Sequence, residues 1–312
     1  MPPDRPSRQP LKGIALKLSA VAIFTAMSSL IKAVSDHVPA GEVVFFRSLF
    51  ACPVIVVWLL WQGNLAQGLR THDMLGHVWR GLVGTTAMGL GFAGLGVLPL
   101  PEVTAIGYAA PLLVVIFGAM FLGEPVRAFR VLAVALGLAG VMVVLSPRMT
   151  VGADVSPRET LGAVVTLGGA VFAALAQVFV RRLTMTEGTA AIVFWFSVTA
   201  TLLSLLTLPF GWVVPTARET VFLILAGLLG GVAQIGLTSA YRYAEAGLVA
   251  PFDYASMLLA IVIGYAVFSE VPARTTLLGA AIIILAGILI IWRERQLGLE
   301  RAREREVGRG DG

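Results

Sequence analysis

Ala105-Ile-Gly-Tyr108-Ala-Ala-Pro-Leu-Leu113 returns, altered but in register, as Pro251-Phe-Asp-Tyr254-Ala-Ser-Met-Leu-Leu259. The likeness continues through Gly118 and Gly264, then Gly123-Glu124-Pro125 and Ser269-Glu270-Val271-Pro272. It ends in Leu138-Ala-Gly140 and Leu285-Ala-Gly287. Working towards the N-terminus, Gly13 matches Gly162, Lys32 matches Arg181, and Phe45 matches Phe194. Gly81 matches Gly227 and Gly84 matches Gly230, the offset drifting only between 149 and 146 residues. A repeat this long decides the architecture, because each copy must be one structural unit. In an apolar chain it also points to a carrier, since many transporters are built from internal repeats.

The chain is apolar: 57% of its 312 residues are hydrophobic and 13% charged, with a mean hydropathy of +0.88. A water-soluble domain carries about 25% charged residues, so this one must meet lipid. The 34 glycines and 16 prolines agree, both being commoner in membrane helices than in soluble ones. The single cysteine, Cys52, excludes an internal disulfide or a cysteine metal cluster; within its apolar run it reads as a small hydrophobe.

Ten runs approach the roughly 20 apolar residues a spanning helix needs: 13–31, 42–61, 78–97, 103–122, 128–145, 161–180, 190–209, 221–240, 247–268 and 275–292. The first follows a basic lead and could be a signal peptide, but it is long enough to span and the repeat requires it. The expected fold is therefore all-α, with ten transmembrane helices arranged as two five-helix repeats. These occupy residues 13–147 and 161–292, flanked by a tail of residues 1–12 and a charged tail of residues 293–312. With an odd number of spans per unit, the second copy enters from the opposite face, giving an inverted pair. Of the 23 basic residues, 17 fall on the side of the termini, which the positive-inside rule assigns to the cytoplasm. Multi-pass insertion in the cytoplasmic (inner) membrane is the expected location.

Two five-helix units, each with a Glu-Pro-type loop and a glycine-rich last helix, resemble the drug/metabolite transporter superfamily, EamA-like branch. The resemblance covers residues 13–292. It implies small organic substrates (amino acids, vitamins such as riboflavin, nucleoside-like cofactors, drugs) and a cavity lined by helices 1, 3 and 4 with their partners 6, 8 and 9.

Polar groups inside those helices are the candidate site, because an unpartnered polar group is costly in hydrocarbon. Helix 3 carries Gly84-Thr85-Thr86-Ala87-Met88, and helix 8 the matching Gly230-Gly-Val-Ala-Gln234; the glycines serve close packing, while Thr85, Thr86 and Gln234 are substrate-binding candidates. Gln177 of helix 6 matches Ser28 of helix 1, and reads equally as a substrate contact or an interhelical hydrogen bond. Tyr108 and Tyr254 occupy equivalent places, each offering a ring face and a hydroxyl to a heterocyclic solute or an anchor in an interfacial belt. Asp253 stands where the first copy has Gly107. An acid in a membrane helix suggests proton or ion coupling, against the alternative of a boundary residue in water. Arg47, deep in the second run, needs water, an anion or a carboxylate; Glu42 is badly spaced on the same helix, which leaves Glu102 as the expected partner. Glu124 and Glu270 are expected to cap the last helix of each copy.

No phosphate-binding loop occurs, so ATP is not the direct energy source. Proton coupling, facilitated diffusion and exchange stay open, as do monomer and homodimer. His37, His72 and His77 show no ligand spacing, so neither metal nor other cofactor is expected. The alternating Arg/Glu tail is expected to be a solvated helix or a disordered end near anionic lipid, not a nucleic-acid patch. A secondary transporter of a small metabolite is the leading reading. A membrane-embedded enzyme lacks a nucleophile–base pair, and a purely structural protein leaves Arg47 and Asp253 unexplained.

Overall fold

The computed structural model describes residues 9–63, 65–123, 128–149, 156–183, 186–243 and 250–310. Arg5, Arg8, Glu124, Pro125 and Arg127 lie outside these residues, as do the side chains of Arg181, Thr238 and Arg242. Among the described residues ten helices make up the transmembrane bundle: α1 (Pro10–Val34), α2 (Ala40–Trp61), α3 (Met74–Leu95), α4 (Leu100–Gly107 and Ala109–Leu122), α5 (Ala128–Met149), α6 (Pro157–Leu183), α7 (Thr189–Ser204, prolonged by the 3-10 turn Leu205–Phe210), α8 (Ala217–Tyr243), α9 (a 3-10 turn Ala250–Tyr254 leading into Ala255–Phe268) and α10 (Arg274–Gly310). α10 runs unbroken into the charged tail.

The helix ends follow from local chemistry. Pro10 opens α1 and Pro157 opens α6, where the missing N–H costs nothing. Asp73 caps α3 by accepting from Gly76 N at 2.8 Å. Thr216 and Glu219 form a reciprocal capping box at α8. Eight helical stretches are long and apolar enough to span by themselves; glycine-rich α3 is not among them, and α9 is a shorter one. Exposed Trp61, Leu206, Phe210 and Val214 leave the exterior apolar, as a surface facing hydrocarbon must be.

The packing repeats with the sequence. α1 packs along α8 as α3 packs along α6, and α2 meets α8 as α7 meets α3. Each pair maps onto the other when the copies are exchanged. α5 pairs with α10 and α2 with α7, across the symmetry axis. Detail repeats too: a Cβ added to Gly81 in α3 would overlap Thr199 of α7, and one added to Gly227 in α8 would overlap Phe50 of α2. Thr199 and Phe50 are themselves equivalent positions.

α4 and α9 are both discontinuous, and at the same place. Pro111 has no N–H for the carbonyl of Gly107, and α4 breaks at Tyr108. α9 is wound as a tight 3-10 turn up to Tyr254. Both end in a left-handed residue, Gly123 (φ 65°) and its counterpart Ser269 (φ 55°). Broken helices meeting between two repeats are where transporters build their sites.

Candidate functional site

A cavity of about 920 Å³ runs between the copies, from Leu100 at one end to Thr189 and Ile291 near the face that carries the termini. The broken helices put both equivalent tyrosines on its wall. Tyr108 and Tyr254 meet edge to face, centroids 5.2 Å apart and planes at 71°. The Tyr108 hydroxyl lies 2.6 Å from Ser256 Oγ, which donates to the Asp253 carbonyl at 2.7 Å. Tyr254 fits because Gly287 has no side chain: a Cβ there would overlap its hydroxyl.

Asp253 faces the same space. Its carboxylate is 2.7 Å from the ammonium of Lys17, and the two side chains are exposed to very different extents, 48% against 1%. Burying an ammonium requires a partner, and the half-exposed acid supplies it while leaving lone pairs free for a solute or proton. Gln177, exposed, and Gln234 complete the polar wall with Ser28 and Thr104. A side chamber of about 280 Å³ shares Arg80, Gln177 and Val180 with it and is lined further by Met88 and Phe196.

The remaining sequence candidates lie elsewhere. Neither Thr85 nor Thr86 lines the cavity. Thr86 Oγ1 bonds back to the Leu82 carbonyl at 2.9 Å, and the Thr85 hydroxyl is buried without a partner. Glu102 does not pair with Arg47. It binds Arg148 in two places, Nε to Oε1 at 3.2 Å and Nη2 to Oε2 at 3.1 Å, and Arg148 also engages Glu159. The reason is depth: Glu102 sits in the first turn of α4, at the face opposite the termini, where α5 ends and α6 begins. Glu42 is taken up by Val213 N at 3.1 Å. Arg47 instead packs against Gly230, with its Nε buried and unbonded.

Glu270 also differs from expectation. It does not cap its own following helix. Its Oε2 accepts from Leu100 N at 2.8 Å, opening α4 of the other copy, while Oε1 lies 2.9 Å from Lys32 Nζ. Lys32 donates further to the carbonyls of Leu95 (3.2 Å) and Leu98 (2.7 Å). One ion pair thus ties the ends of α1, α3, α4 and α9 at the face opposite the termini, next to the Leu100 end of the cavity. At the termini face Glu187 accepts from His72 N (2.6 Å), Asp73 N (2.9 Å) and Thr71 Oγ1 (3.1 Å), joining the α6–α7 turn to the start of α3. Its burial opposes the charge, but these donors outweigh burial and hold the carboxyl below its ordinary value.

Lys17 and Arg80 were missed as site residues because they read as basic flanks. Each lies about two turns inside its helix, and that depth was the available signal. Setting both aside, the remaining basic residues keep the same bias towards the termini face.

The model of the EamA-like transporter family matches residues 11–146 and 160–293. The chain is 31% identical to the pseudopaline exporter of Pseudomonas aeruginosa, over 89% of this chain and 95% of that one. It is 27% identical to the S-adenosylmethionine uptake transporter of Rickettsia felis (92% and 94%) and 30% identical to the riboflavin transporter of Rhizobium johnstonii (82% of each). A solved crystal structure at 21% identity superimposes with a TM-score of 0.66 over 93% of this chain and 99% of that one, a likeness that shows the fold alone. With its duplicated five-helix units, its broken α4 and α9 and a cavity between them, the chain belongs to the EamA-like transporter family.

Proposed function

We propose that this chain moves a small organic metabolite by alternating access, with residues 13–147 and 161–292 as the two units that move against each other. It is a transporter and not an enzyme. What supports the mechanism is an asymmetry: Lys32 and Glu270 bind helix ends together at one face, while half-exposed polar groups wall the cavity towards the other. With the termini in the cytoplasm, as the arginine and lysine distribution supports, this is the inward-facing state of an inner-membrane carrier.

Tyr108 and Tyr254 are the surfaces on which the solute stacks, and Gln177 and Gln234 the amides that orient it. The Lys17–Asp253 pair is the coupling element: protonation or solute binding at Asp253 changes how the buried ammonium is balanced, and with it the stability of this state. Among the described residues, Tyr108, Tyr254 and Ser256 share the cavity wall with that pair. Relatives named for pseudopaline, S-adenosylmethionine and riboflavin make a metabolite of that size the first to test, with amino acids alongside.

Counterflow in liposomes tests the reading. Protein loaded with an unlabelled metabolite should accumulate its labelled form transiently, and Tyr108→Ala should raise the half-saturating concentration. Absence of flux for every member of a panel of amino acids, vitamins, nucleosides and amino-carboxylate chelators would refute the carrier reading.

A further inference from the structure

Among the basic side chains embedded in the described helices, most have a carboxylate. Lys17 has Asp253, Lys32 has Glu270, and Arg148 has Glu102 and Glu159. Arg80 has none among the described residues, and its Nε and Nη1 are buried with no acceptor. Arg47 is the second exception, its Nε likewise without an acceptor, and it stands within electrostatic reach of Arg80. An uncompensated guanidinium in a membrane protein is expensive. Two that reinforce each other call for an anion that the chain itself does not provide.

The surroundings are shaped for one. Exchanging the copies maps Arg47 on Gly230 to Phe196 on Gly84. In the first notch a guanidinium fills the space beside the glycine; in the second a phenyl ring does, with the Arg80 Cζ 3.5 Å from the ring centroid. A Cβ at Gly84 would come within 2.7 Å of Arg80 Nη1 and 2.9 Å of the ring, so the glycine lets both sit where they are. The ring covers one face of the guanidinium and fixes its plane, which leaves in-plane hydrogen bonding as its remaining use. Arg80 borders both the main cavity and the side chamber, with the exposed Gln177 amide on the same wall. Ala226 stands at the equivalent position in the other copy, so the repeat scaffold does not require this cation.

We propose that the side chamber is an oxyanion subsite and that the transported solute carries a carboxylate, gripped by Arg80 with Gln177 beside it and Arg47 behind. This assignment rests on the carrier reading and narrows its substrate class to organic acids and amino acids. A planar carboxylate can take two in-plane bonds from one guanidinium.

The test uses the full chain in lipid nanodiscs, titrated with glutarate, L-glutamate and citrate, with the neutral glutaramide and inorganic phosphate as contrasts, and thermal melting as readout. At least one carboxylate should raise Tm in a saturable way and glutaramide should not. Arg80→Gln should raise the half-saturating concentration roughly ten- to a hundredfold, the range of a charge-assisted hydrogen bond. Arg80→Lys should fall between, and Gly84→Ala should weaken binding by crowding the guanidinium. No carboxylate response in the unaltered chain, an equal response in Arg80→Gln and Arg80→Lys to that of the unaltered chain, or a stronger response to phosphate would each overturn the assignment. Counterflow on the same preparation separates the two claims. Flux without carboxylate binding keeps the carrier and removes the subsite, whereas binding without flux for any solute does the reverse.

Discussion

Lys17 and Lys32 lie on one membrane-crossing helix and each meets a carboxylate among the described residues, yet the two pairs are built differently. Lys32 and Glu270 are both mostly buried, at 13% and 15% exposure; two carbonyls at helix ends take the ammonium's other donors, and Leu100 N ties the carboxylate's second oxygen. In the Lys17–Asp253 pair the ammonium is buried but the acid is 48% exposed to the cavity. A saturated pair holds one arrangement. A half-open pair can exchange its partner for a proton or a solute. The first is fitted to a seal and the second to a coupling site.

Breaking the seal should have the largest effect. Lys32→Ala leaves Glu270 without its cation and two carbonyls without a donor, a loss of about 3 kcal/mol by analogy with half-broken buried pairs. It should also open the face opposite the termini. A Leu98→Cys probe in a Cys52→Ala background should react with an impermeant maleimide at least tenfold faster once Lys32 is replaced; equal rates would show that the seal lies elsewhere.

Opening the second pair should be nearly as costly to transport but not to folding. Asp253→Asn should abolish proton dependence while protein abundance in the membrane stays unchanged. Transport that kept its full pH profile in this variant would remove Asp253 from coupling and leave it a counter-ion for Lys17.

The tyrosines sharpen the contrast from the solute's side. Tyr108→Ala and Tyr254→Ala should each raise the half-saturating concentration about tenfold, the loss expected for removing an aromatic face of about 1.5 kcal/mol, and should leave the Leu98→Cys reactivity as it was. Unchanged affinity in both variants would assign the ring pair to helix packing.

The smallest effect is expected at the termini face. Glu187, held below its ordinary value of 4.5, adds stability that is present above that value and fades as pH falls through its lowered folded value. Glu187→Gln should melt a few degrees lower at neutral pH, and the gap to the unaltered chain should narrow below about pH 4.5. A gap independent of pH would mean the turn is held by shape, with the carboxylate's charge contributing nothing.

Much of this was legible in advance where the signal is periodic or compositional. The spacing of apolar runs told how many helices cross, and the odd number of spans per copy made the pair inverted. Tyr108 and Tyr254 could be singled out because the copies align on them. Partner choice was not legible. Glu102 looked available to Arg47 because both are intramembrane charges, yet it sits in the first turn of α4, where Arg148 arrives, while Arg47 lies deeper in α2. Thr85 and Thr86 looked like site residues by composition, but the rotation of α3 turns Arg80 and Met88 to the cavities.

Hydrophobicity and duplication are properties of the chain itself, so sequence was sufficient for ten helices in two copies and for the bias of basic residues towards one face. Which charges neutralise one another is set by helix depth, rotation and neighbours far apart in the chain. Only the packed structure could therefore separate Lys32, locked to Glu270, from Lys17, half open at Asp253, and from Arg80, left without a counter-ion among the described residues.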